Sequence, residues 1–377
     1  GDNDRVNRYT RAAGQWRDWL SADVIKQDSA RSLYVYHQEF EVEGRQFVRR
    51  GFFGRVRLEP FGQGAIFPHE ETLSGPKADR LKLLKAAGMQ FSPIFGLYPD
   101  ETCEVQELLE EAVRRSLPIE AVDHLGVKSR LWPVTDQHVI SEVVGRMGPK
   151  PIFIADGHHR YETGLRYLEE LQASGEPVRE DHPARFIMMN LVGMSDPGLR
   201  ILPTHRLVSG TGFSGLTAEQ LRAKLAPHVE FESVGEGPAA AAAAWERIEA
   251  SGRQEVFGFG TTSDGLWQVG RFTNPDLMRE LAPNRSDDWR GLGVAILHVV
   301  LLERLLGGGA TCQYVHLLRE VEEAVASRSC DLAVLVAPAT MGHVERISRQ
   351  LEKMPPKSTY FYPKILSGLL FYSVKNL

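Results

Sequence analysis

The sequence has few of the features that mark secreted, membrane-spanning or nucleic-acid-binding proteins. It has 3 cysteines in 377 residues, Cys103, Cys312 and Cys330, without CxxC spacing. This odd number excludes a fully paired disulfide framework and favours a reducing, cytoplasmic location. The longest apolar stretch, at 294–306, contains charged residues and is too short to span a bilayer. We therefore expect no membrane as a partner, and because the formal net charge is −5, we expect no nucleic acid either.

Several common ligand-binding motifs are also missing. The sequence contains no GxxxxGKS/T P-loop and no GxSxG elbow. A GxGxxG pattern occurs at 210–215, but a capping box of Thr217 and Gln220 begins a helix only after its last glycine, which favours a loop over a dinucleotide site. HxxxH and HExxH spacings are absent, so we expect no zinc.

The length and the apolar periodicity indicate several subdomains of mixed secondary structure. A chain of 377 residues exceeds the usual size of one hydrophobic core. Strands are predicted at 32–41 and 46–58 with a hairpin turn at 42–45, and strands and helices alternate further along. We therefore expect an α+β (mixed α/β) fold with a mixed-sheet core. The predicted segments are a β-rich subdomain at 1–100, a nucleotide- or phosphate-binding subdomain at 101–210, a small α+β subdomain at 211–290 and a C-terminal α/β segment at 291–377 that closes the site.

The densest group of titratable side chains follows a short apolar strand at 152–155. The segment Asp156–Arg160 reads Asp-Gly-His-His-Arg, and helical spacing of leucines follows it, so Gly157 lies at a strand-to-helix turn. The start of a helix attracts anions, and Arg160 adds a planar cation suited to phosphate. Asp156 is a candidate ligand for Mg²⁺ or a proton acceptor; the alternative is that it is the helix N-cap beside solvated neighbours. The predicted phosphate-binding residues are Gly157, His158, His159 and Arg160.

A polar loop before a helix predicted at 77–87 supplies a second group of candidate residues. It combines a carboxylate, a histidine and two cations, which is a typical inventory for phosphoryl transfer. An ordinary surface loop, with Ser74 as the helix cap, is the alternative. The candidates are His69, Glu70, Thr72, Lys77 and Arg80.

Two further groups of candidate residues lie later in the chain. The segment 354–364 contains three prolines, which prevent a helix, and it presents lysines and hydroxyls among aromatic residues. It either binds an anion through Lys357, Ser358, Thr359 and Lys364 or latches the C-terminal region onto the core. His205 and Arg206 end a predicted strand, where a solvated edge is the favoured interpretation.

Three segments carry a resemblance to a known family. Ala155–Glu162, Pro68–Arg80 and Met354–Lys364 resemble the uncharacterised bacterial and archaeal family called domain of unknown function ten-fifteen. The Asp-Gly-His-His-Arg turn is also similar to the phosphate-binding turn of the ParB and sulfiredoxin-like superfamily, which includes free-serine kinases. This resemblance implies that a nucleotide's phosphates bind at a helix start without a P-loop. The family usually carries an N-terminal Pro-Pro-Tyr-Asp element that this sequence lacks.

Together, the residues and the resemblance predict a nucleotide-dependent kinase or phosphotransferase. We expect ATP or ADP with magnesium as cofactor and a hydroxyl-bearing metabolite such as L-serine as substrate. Glu70, His69 and Asp156 are the predicted catalytic residues. The residues predicted to bind substrate or neutralise charge are Thr72, Lys77, Arg80, His205, Arg206, Lys357, Ser358, Thr359 and Lys364. The alternatives are a phosphatase for phosphoserine-type monoesters and a non-catalytic nucleotide-binding regulatory protein.

Overall fold

The computed structural model describes residue 3 and residues 5–70, 74–175 and 177–375, with the backbone alone at 74–76. Its strands are β1 Leu33–Val42, β2 Arg45–Arg57, β3 Ile66–Phe67, β4 Met89–Gln90, β5 Ile94–Tyr98, β6 Ile119–Val122, β7 Lys128–Val134, β8 Ile152–Asp156, β9 Phe186–Gly193, β10 Arg200–Leu202, β11 His205–Ser209, β12 Val229–Glu236, β13 Val256–Thr261, β14 Leu266–Phe272, β15 Thr311–Val315, β16 Leu332–Val336, β17 Tyr360–Tyr362 and β18 Tyr372–Ser373. Its α-helices are α1 Arg8–Ser21, α2 Ser74–Ala87, α3 Glu104–Val113, α4 Gln137–Met147, α5 His158–Ala173, α6 Ala218–Leu225, α7 Gly237–Ser251, α8 Pro275–Leu281, α9 Asp287–Arg290, α10 Gly293–Ala295, α11 Leu318–Ala326 and α12 Met341–Arg349.

The chain forms two compact units. Unit 1 comprises Gly1–Leu199 and Pro363–Leu377, and unit 2 comprises Arg200–Tyr362. The predicted division into four segments differs from this, because strand pairing joins residues on both sides of the expected boundaries. Strand β5 pairs with β9 across position 100, and β13 pairs with β16 across position 290.

Unit 1 is built on an eight-stranded mixed sheet with the strand order β3-β8-β5-β9-β2-β1-β7-β6. Strands β3 and β8 are parallel, as are β5 and β9, whereas the other neighbours are antiparallel. The predicted mixed α+β fold with a mixed sheet is therefore confirmed.

The predicted hairpin between β1 and β2 is confirmed. Val42 pairs with Arg45 across a loop of Glu43 and Gly44, whose φ angles are 50° and 76°. Two-residue loops with positive φ at both positions match the right-handed twist of the strands that they join. This turn fixes the register of the two longest strands in the sheet.

The two faces of the unit 1 sheet are covered by different parts of the chain. Neighbouring residues of a strand point to opposite faces, and here Phe52 belongs to the core beneath α3 and α4, whereas Phe53 belongs to a second cluster. This second cluster also contains Ile365, Leu369 and Leu370. The C-terminal segment after Pro363 therefore covers one face of the sheet.

Unit 2 contains an antiparallel six-stranded sheet with the strand order β12-β14-β13-β16-β11-β15. Helix α7 packs against it through small residues, among them the buried Ala240, Ala241 and Ala244. The capping box of Thr217 and Gln220 is present at the start of α6, as predicted.

The apolar stretch at 294–306 is helical and forms the short helix α10 followed by a π-helix at Ile296–Leu305. Among the residues that the structure describes, no helix combines the length and apolar character needed to cross a membrane.

Candidate functional site

The turn that follows β8 is built around a glycine. Gly157 is the N-cap of the 16-residue helix α5 and has a φ of 101°. Residues with a side chain rarely adopt this backbone conformation. A Cβ atom at this position would lie 3.0 Å from Nη2 and 3.1 Å from Cζ of Arg160. The predicted strand-to-helix turn is confirmed, and both its backbone and its packing require glycine.

Asp156 forms ion pairs and does not cap the helix. The N-cap of helix α5 is Gly157, which has no side chain, so no side chain caps this helix. Instead, the Asp156 carboxylate accepts hydrogen bonds from Arg160 Nη2 at 2.7 Å and from Lys364 Nζ at 3.3 Å, so the interpretation of Asp156 as an N-cap is wrong. Burial alone would raise the pKa of Asp156, but Lys364 and Arg160 lower it overall. The carboxylate is therefore ionised at neutral pH.

Arg160 is a partly buried cation that is held in one place. Besides its bond to Asp156, its Nη1 donates to the carbonyl oxygen of Pro93. Burial lowers the pKa of Arg160, opposed by Asp156 and reinforced by the charge of Arg80. Arg160 and Arg80 both line a cavity of about 110 Å³, whose other lining residues are mainly apolar.

His158 and His69 form a buried pair behind the turn. His158 is 3% exposed and His69 is 1% exposed, and their rings meet edge to face. The backbone N–H of His69 donates to His158 Nε2 at 3.2 Å, and His69 Nδ1 lies 2.7 Å from the Ile154 carbonyl oxygen. Because a carbonyl oxygen only accepts, His69 Nδ1 carries a proton. Burial lowers the pKa of His69 to about 4, so His69 is neutral at neutral pH.

Glu70 lies beside the remaining nitrogen of His158. Its Oε2 atom is 3.9 Å from His158 Nδ1, and its side chain is 38% exposed. Because His158 Nε2 accepts a hydrogen bond from His69, the proton of a neutral His158 ring is on Nδ1, the nitrogen nearer Glu70. The predicted residue Thr72 and the proposed cap Ser74 lie outside the residues whose side chains are described.

His159 points away from the buried pair and lies among cations. Consecutive helical residues are rotated by about 100°, so only His158 faces the core. Burial is the largest cause that lowers the pKa of His159, followed by the charge of Arg80, with a smaller effect of Lys77. Lys77 itself bonds Glu162 on α5 at 2.7 Å. Helices α2 and α5 therefore bring Lys77, Arg80, His159 and Arg160 together.

A buried asparagine lies in the same row of the sheet as Asp156. Phe95 on β5 is directly paired with Asp156 on β8 and with Asn190 on β9, so the three side chains share one face. Asn190 is 1% exposed, and neither its Nδ2 nor its Oδ1 has a hydrogen-bond partner. Sequence reasoning missed Asn190, although it is the one polar side chain in the apolar strand Phe186–Gly193.

The other predicted residues lie in unit 2, and two of them are deeply buried. His205 is 1% exposed and Arg206 is 0% exposed, so the predicted solvated edge is wrong: both residues lie on β11, an inner strand between β16 and β15. Burial lowers the pKa of His205 to about 3 and that of Arg206 to about 10. Arg206 donates to the carbonyl oxygen of Lys357 at 3.0 Å and to His298 Nε2 at 3.2 Å.

The segment after Pro355 is held by its own polar groups. Ser358 Oγ donates to the Pro355 carbonyl oxygen at 2.6 Å, and Lys357 has a positive φ of 60°. Lys357 is exposed, whereas Ser358 is buried and Thr359 is intermediate. The roles predicted for these three residues and for His205 and Arg206 stay predictions.

A metal site formed by the protein alone is not present in the described part of the chain. Within it, no three histidine, cysteine, aspartate or glutamate side chains are grouped closely enough to hold an ion. Glu70 and Asp156 are two carboxylates at the α5 turn, and a pair of carboxylates suffices only for a Mg²⁺ ion that also binds substrate phosphates.

Several solved structures show a distant overall similarity to the chain. "Free serine kinase in complex with AMP" has 13% identity and a TM-score of 0.36, covering 82% of this chain and 86% of that chain. A conserved hypothetical protein from Pyrococcus furiosus has 12% identity and a TM-score of 0.38, covering 85% and 95%. SbnI with a C-terminal truncation, from Staphylococcus aureus, has 12% identity and a TM-score of 0.36, covering 82% of each chain. Similarity at this level does not establish a shared activity.

Sequence comparison assigns the family. No curated protein matches the chain. The family model described as "Protein of unknown function (DUF1015)" matches residues 1–292, which is more than half of the sequence. The chain therefore belongs to the DUF1015 family.

Proposed function

We propose that the protein is a nucleotide-dependent phosphotransferase that acts on a hydroxyl-bearing metabolite such as L-serine. The observation that carries this proposal is the ion-paired group of Asp156, Arg160 and Lys364 at the start of helix α5, with Glu70 3.9 Å from His158, the first residue of the same helix. Phosphoryl transfer depends mainly on positioning and on neutralising the charge of the transferred group.

The nucleotide's phosphates bind at the α5 turn. The first backbone N–H groups of a long helix carry partial positive charge, and Gly157 lets a ligand approach them without steric hindrance from a Cβ atom. Arg160 and Lys364 share the single carboxylate of Asp156. A phosphate dianion next to this group therefore meets a net positive charge.

The magnesium ion that usually accompanies ATP or ADP fits this arrangement. Such an ion takes most of its ligands from phosphates and water and one or two from protein carboxylates. Asp156 is ionised and lies at the turn, so it is the residue that would hold this ion, which when bound neutralises phosphate charge.

Glu70 is the general base for the acceptor hydroxyl. Its carboxylate is partly exposed and lies beside His158, which the His69 backbone orients. The proton of the acceptor hydroxyl passes to Glu70 while the oxygen forms a bond to the terminal phosphorus of the nucleotide. The bond between this phosphorus and the leaving phosphate oxygen breaks, and the shortened nucleotide departs. In this arrangement, buried His69 acts by positioning His158.

The remaining cations stabilise the transferred group. His159, Lys77 and Arg80 are close enough that the charges of Lys77 and Arg80 lower the pKa of His159. A neutral His159 still donates a hydrogen bond to a phosphate oxygen. Arg80 is exposed on α2, so it is accessible to a substrate carboxylate.

The direct test measures phosphorylated product. The protein is incubated with ATP or ADP, Mg²⁺ and a panel of hydroxyl metabolites that includes serine, and products are detected by mass spectrometry. We expect one acceptor to be phosphorylated in a nucleotide-dependent reaction. Absence of product from every acceptor would refute the proposal, and release of phosphate from phosphoserine without nucleotide would indicate the phosphatase. Thermal stabilisation by nucleotide without turnover would indicate a regulatory protein.

Two variants with matched controls test the assignment of residues. Glu70→Gln should lower kcat by about 10²–10⁴-fold, the usual contribution of general base catalysis, while nucleotide binding is retained. Its control is Glu111→Gln, an exposed carboxylate on α3. Arg160→Ala should weaken nucleotide binding, whereas Arg166→Ala, 62% exposed on the same helix, should leave it unchanged.

A further inference from the structure

Lys364 reaches the α5 turn from the last segment of unit 1. Its ammonium group lies 3.3 Å from Asp156 Oδ1, but its side chain is 45% exposed. An exposed ion pair restrains a long lysine side chain only weakly, because the pair is solvated and the side chain loses conformational entropy. The position of Lys364 must therefore depend on how its backbone is held.

Two buried side chains hold this backbone. Arg49 Nη2 donates to the carbonyl oxygen of Pro363 at 2.6 Å, and Gln38 Nε2 donates to the carbonyl oxygen of Lys364 at 3.0 Å. Arg49 Nη2 also donates a hydrogen bond to Gln38 Oε1, so the two side chains hold each other in place. They grip two successive carbonyl groups of the C-terminal segment.

Gln38 and Arg49 are both held by the unit 1 sheet. Gln38 on β1 and Arg49 on β2 are direct register partners in the antiparallel pair, which places their side chains on the same face. Gln38 is 1% exposed and Arg49 is 2% exposed. The Arg49 guanidinium also lies 4.5 Å over the ring of Phe95, and Phe95 is the register partner of Asp156.

Burying a guanidinium is costly, because the charge leaves water. Burial accordingly lowers the pKa of Arg49, to about 10, and the group stays charged at neutral pH. Two of the hydrogen bonds of Arg49 go to neutral acceptors, the Gln38 amide and the Pro363 carbonyl group. Both bonds come from Nη2, whose two hydrogens reach the Gln38 side chain and the Pro363 backbone together.

We infer that Arg49 and Gln38 are positioning residues for the phosphate site: they clamp the backbone at Pro363 and Lys364 and so hold the Lys364 ammonium group against Asp156. This inference rests on the proposed function, because Lys364 contributes to the site only if a phosphate binds there. Neither Arg49 nor Gln38 touches the ligand in this arrangement.

The first experiment needs no nucleotide. The full chain is treated with an amine-acetylating ester, and the modification rate of each lysine is measured by peptide mass spectrometry, with exposed Lys224 of unit 2 as an internal reference. Arg49→Met should increase the rate at Lys364 severalfold relative to Lys224. The control variant Arg45→Met, an exposed arginine on the same strand, should not. An unchanged Lys364 rate in folded Arg49→Met protein would overturn the inference.

The second experiment is a double-mutant cycle on the affinity for ADP. Arg49→Met and Lys364→Met should each weaken binding by about tenfold, which is the loss of roughly one charge-assisted contact. The double variant should bind no more weakly than Lys364→Met, because Arg49 acts through Lys364. Additive losses would show that Arg49 acts independently and would overturn the inference.

The two experiments separate the inference from the proposed function. If the wild-type protein does not bind ADP, the proposed function fails, whereas the acetylation rates still decide whether Arg49 positions Lys364. If Arg49→Met does not fold, Gln38→Met removes the bond to the Lys364 carbonyl group and should also raise the Lys364 rate, and an unchanged rate there counts against the clamp.

Discussion

Replacing Gly157 by alanine is a sharp test of the α5 turn, because two separate costs arise there. Gly157 has a φ of 101°, and its Cβ position lies 3.0 Å from Arg160 Nη2. Holding an L residue at positive φ costs about 1–2 kcal/mol. Displacing the Arg160 side chain from its rotamer adds roughly 1 kcal/mol, and its bond to Asp156 weakens as well. We expect Gly157→Ala to lower the free energy of unfolding by about 2–4 kcal/mol.

The chain offers a matched control in Gly175, which lies just beyond the other end of α5. Gly175 has a φ of 83°, and a Cβ there would have no atom within 4 Å. Gly175→Ala therefore has the backbone cost of about 1–2 kcal/mol without the steric one. The difference between the two variants isolates the contact with Arg160.

The measurement is the thermal unfolding midpoint with and without ADP. For a unit of about 200 residues, 1 kcal/mol shifts the midpoint by about 2–4 °C. Gly157→Ala should lower it by about 4–16 °C and abolish the stabilisation by ADP, whereas Gly175→Ala should lower it by about 2–8 °C and keep that stabilisation. Equal effects of the two substitutions, with ADP stabilisation intact in both, would refute the reasoning.

Three further predictions concern stability. The pKa of Asp156 is lower in the folded protein than in the unfolded chain. The ionised carboxylate therefore stabilises the fold fully above the unfolded-state pKa near 4, and this stabilisation is lost as the pH falls through the folded-state pKa. Asp156→Asn should accordingly flatten the decline of the thermal unfolding midpoint below about pH 4. Burial lowers the pKa of His69 and of His298 to about 4 and that of His205 to about 3. Because the unfolded chain takes up these protons first, the thermal unfolding midpoint should decrease as the pH is lowered from about 6.5 to about 4. A constant midpoint over that interval would contradict the burial of these rings. Ala244→Leu should destabilise the buried face of α7 by about 1–3 kcal/mol in denaturant unfolding, and Ala239→Leu, which is exposed on the same helix, should change stability by less than about 0.5 kcal/mol.

Local sequence signals predicted the parts of the fold that depend on neighbours in the chain. The hairpin at 42–45 requires positive φ, and Glu43-Gly44 supplies a sequence that accepts it. The α5 turn was predictable for the same reason, because apolar residues, a glycine and helical spacing follow one another directly. The capping box of Thr217 and Gln220 is likewise contained within four residues.

Features that depend on distant residues were not predictable from such signals. One ion-pair partner of Asp156 is Lys364, which lies 208 positions away, so the sequence around Asp156 could not predict this pair and left a helix cap open as an alternative. Arg206 was expected at a solvated edge, because arginine is rarely fully buried. Its burial depends on a sheet in which β11 lies between β15 and β16, and strand order of this kind is not encoded in local periodicity.

The path of the chain through the two units has a consequence for the order of folding during synthesis. Unit 2 begins at Arg200 and ends at Tyr362, and its two ends pair directly as β10 and β17, with Arg200 opposite Tyr362. Unit 2 is therefore inserted into the sequence of unit 1, and its two ends are adjacent. All residues of the unit 2 core have been synthesised before translation reaches Pro363. Until then, Arg49 and Gln38 lack the carbonyl groups of Pro363 and Lys364 to which they donate hydrogen bonds, because both residues are translated only after the whole insertion. On the ribosome, the ion pair between Lys364 and Asp156 therefore forms only after unit 2 has been synthesised, and premature termination within unit 2 yields a chain without this lysine.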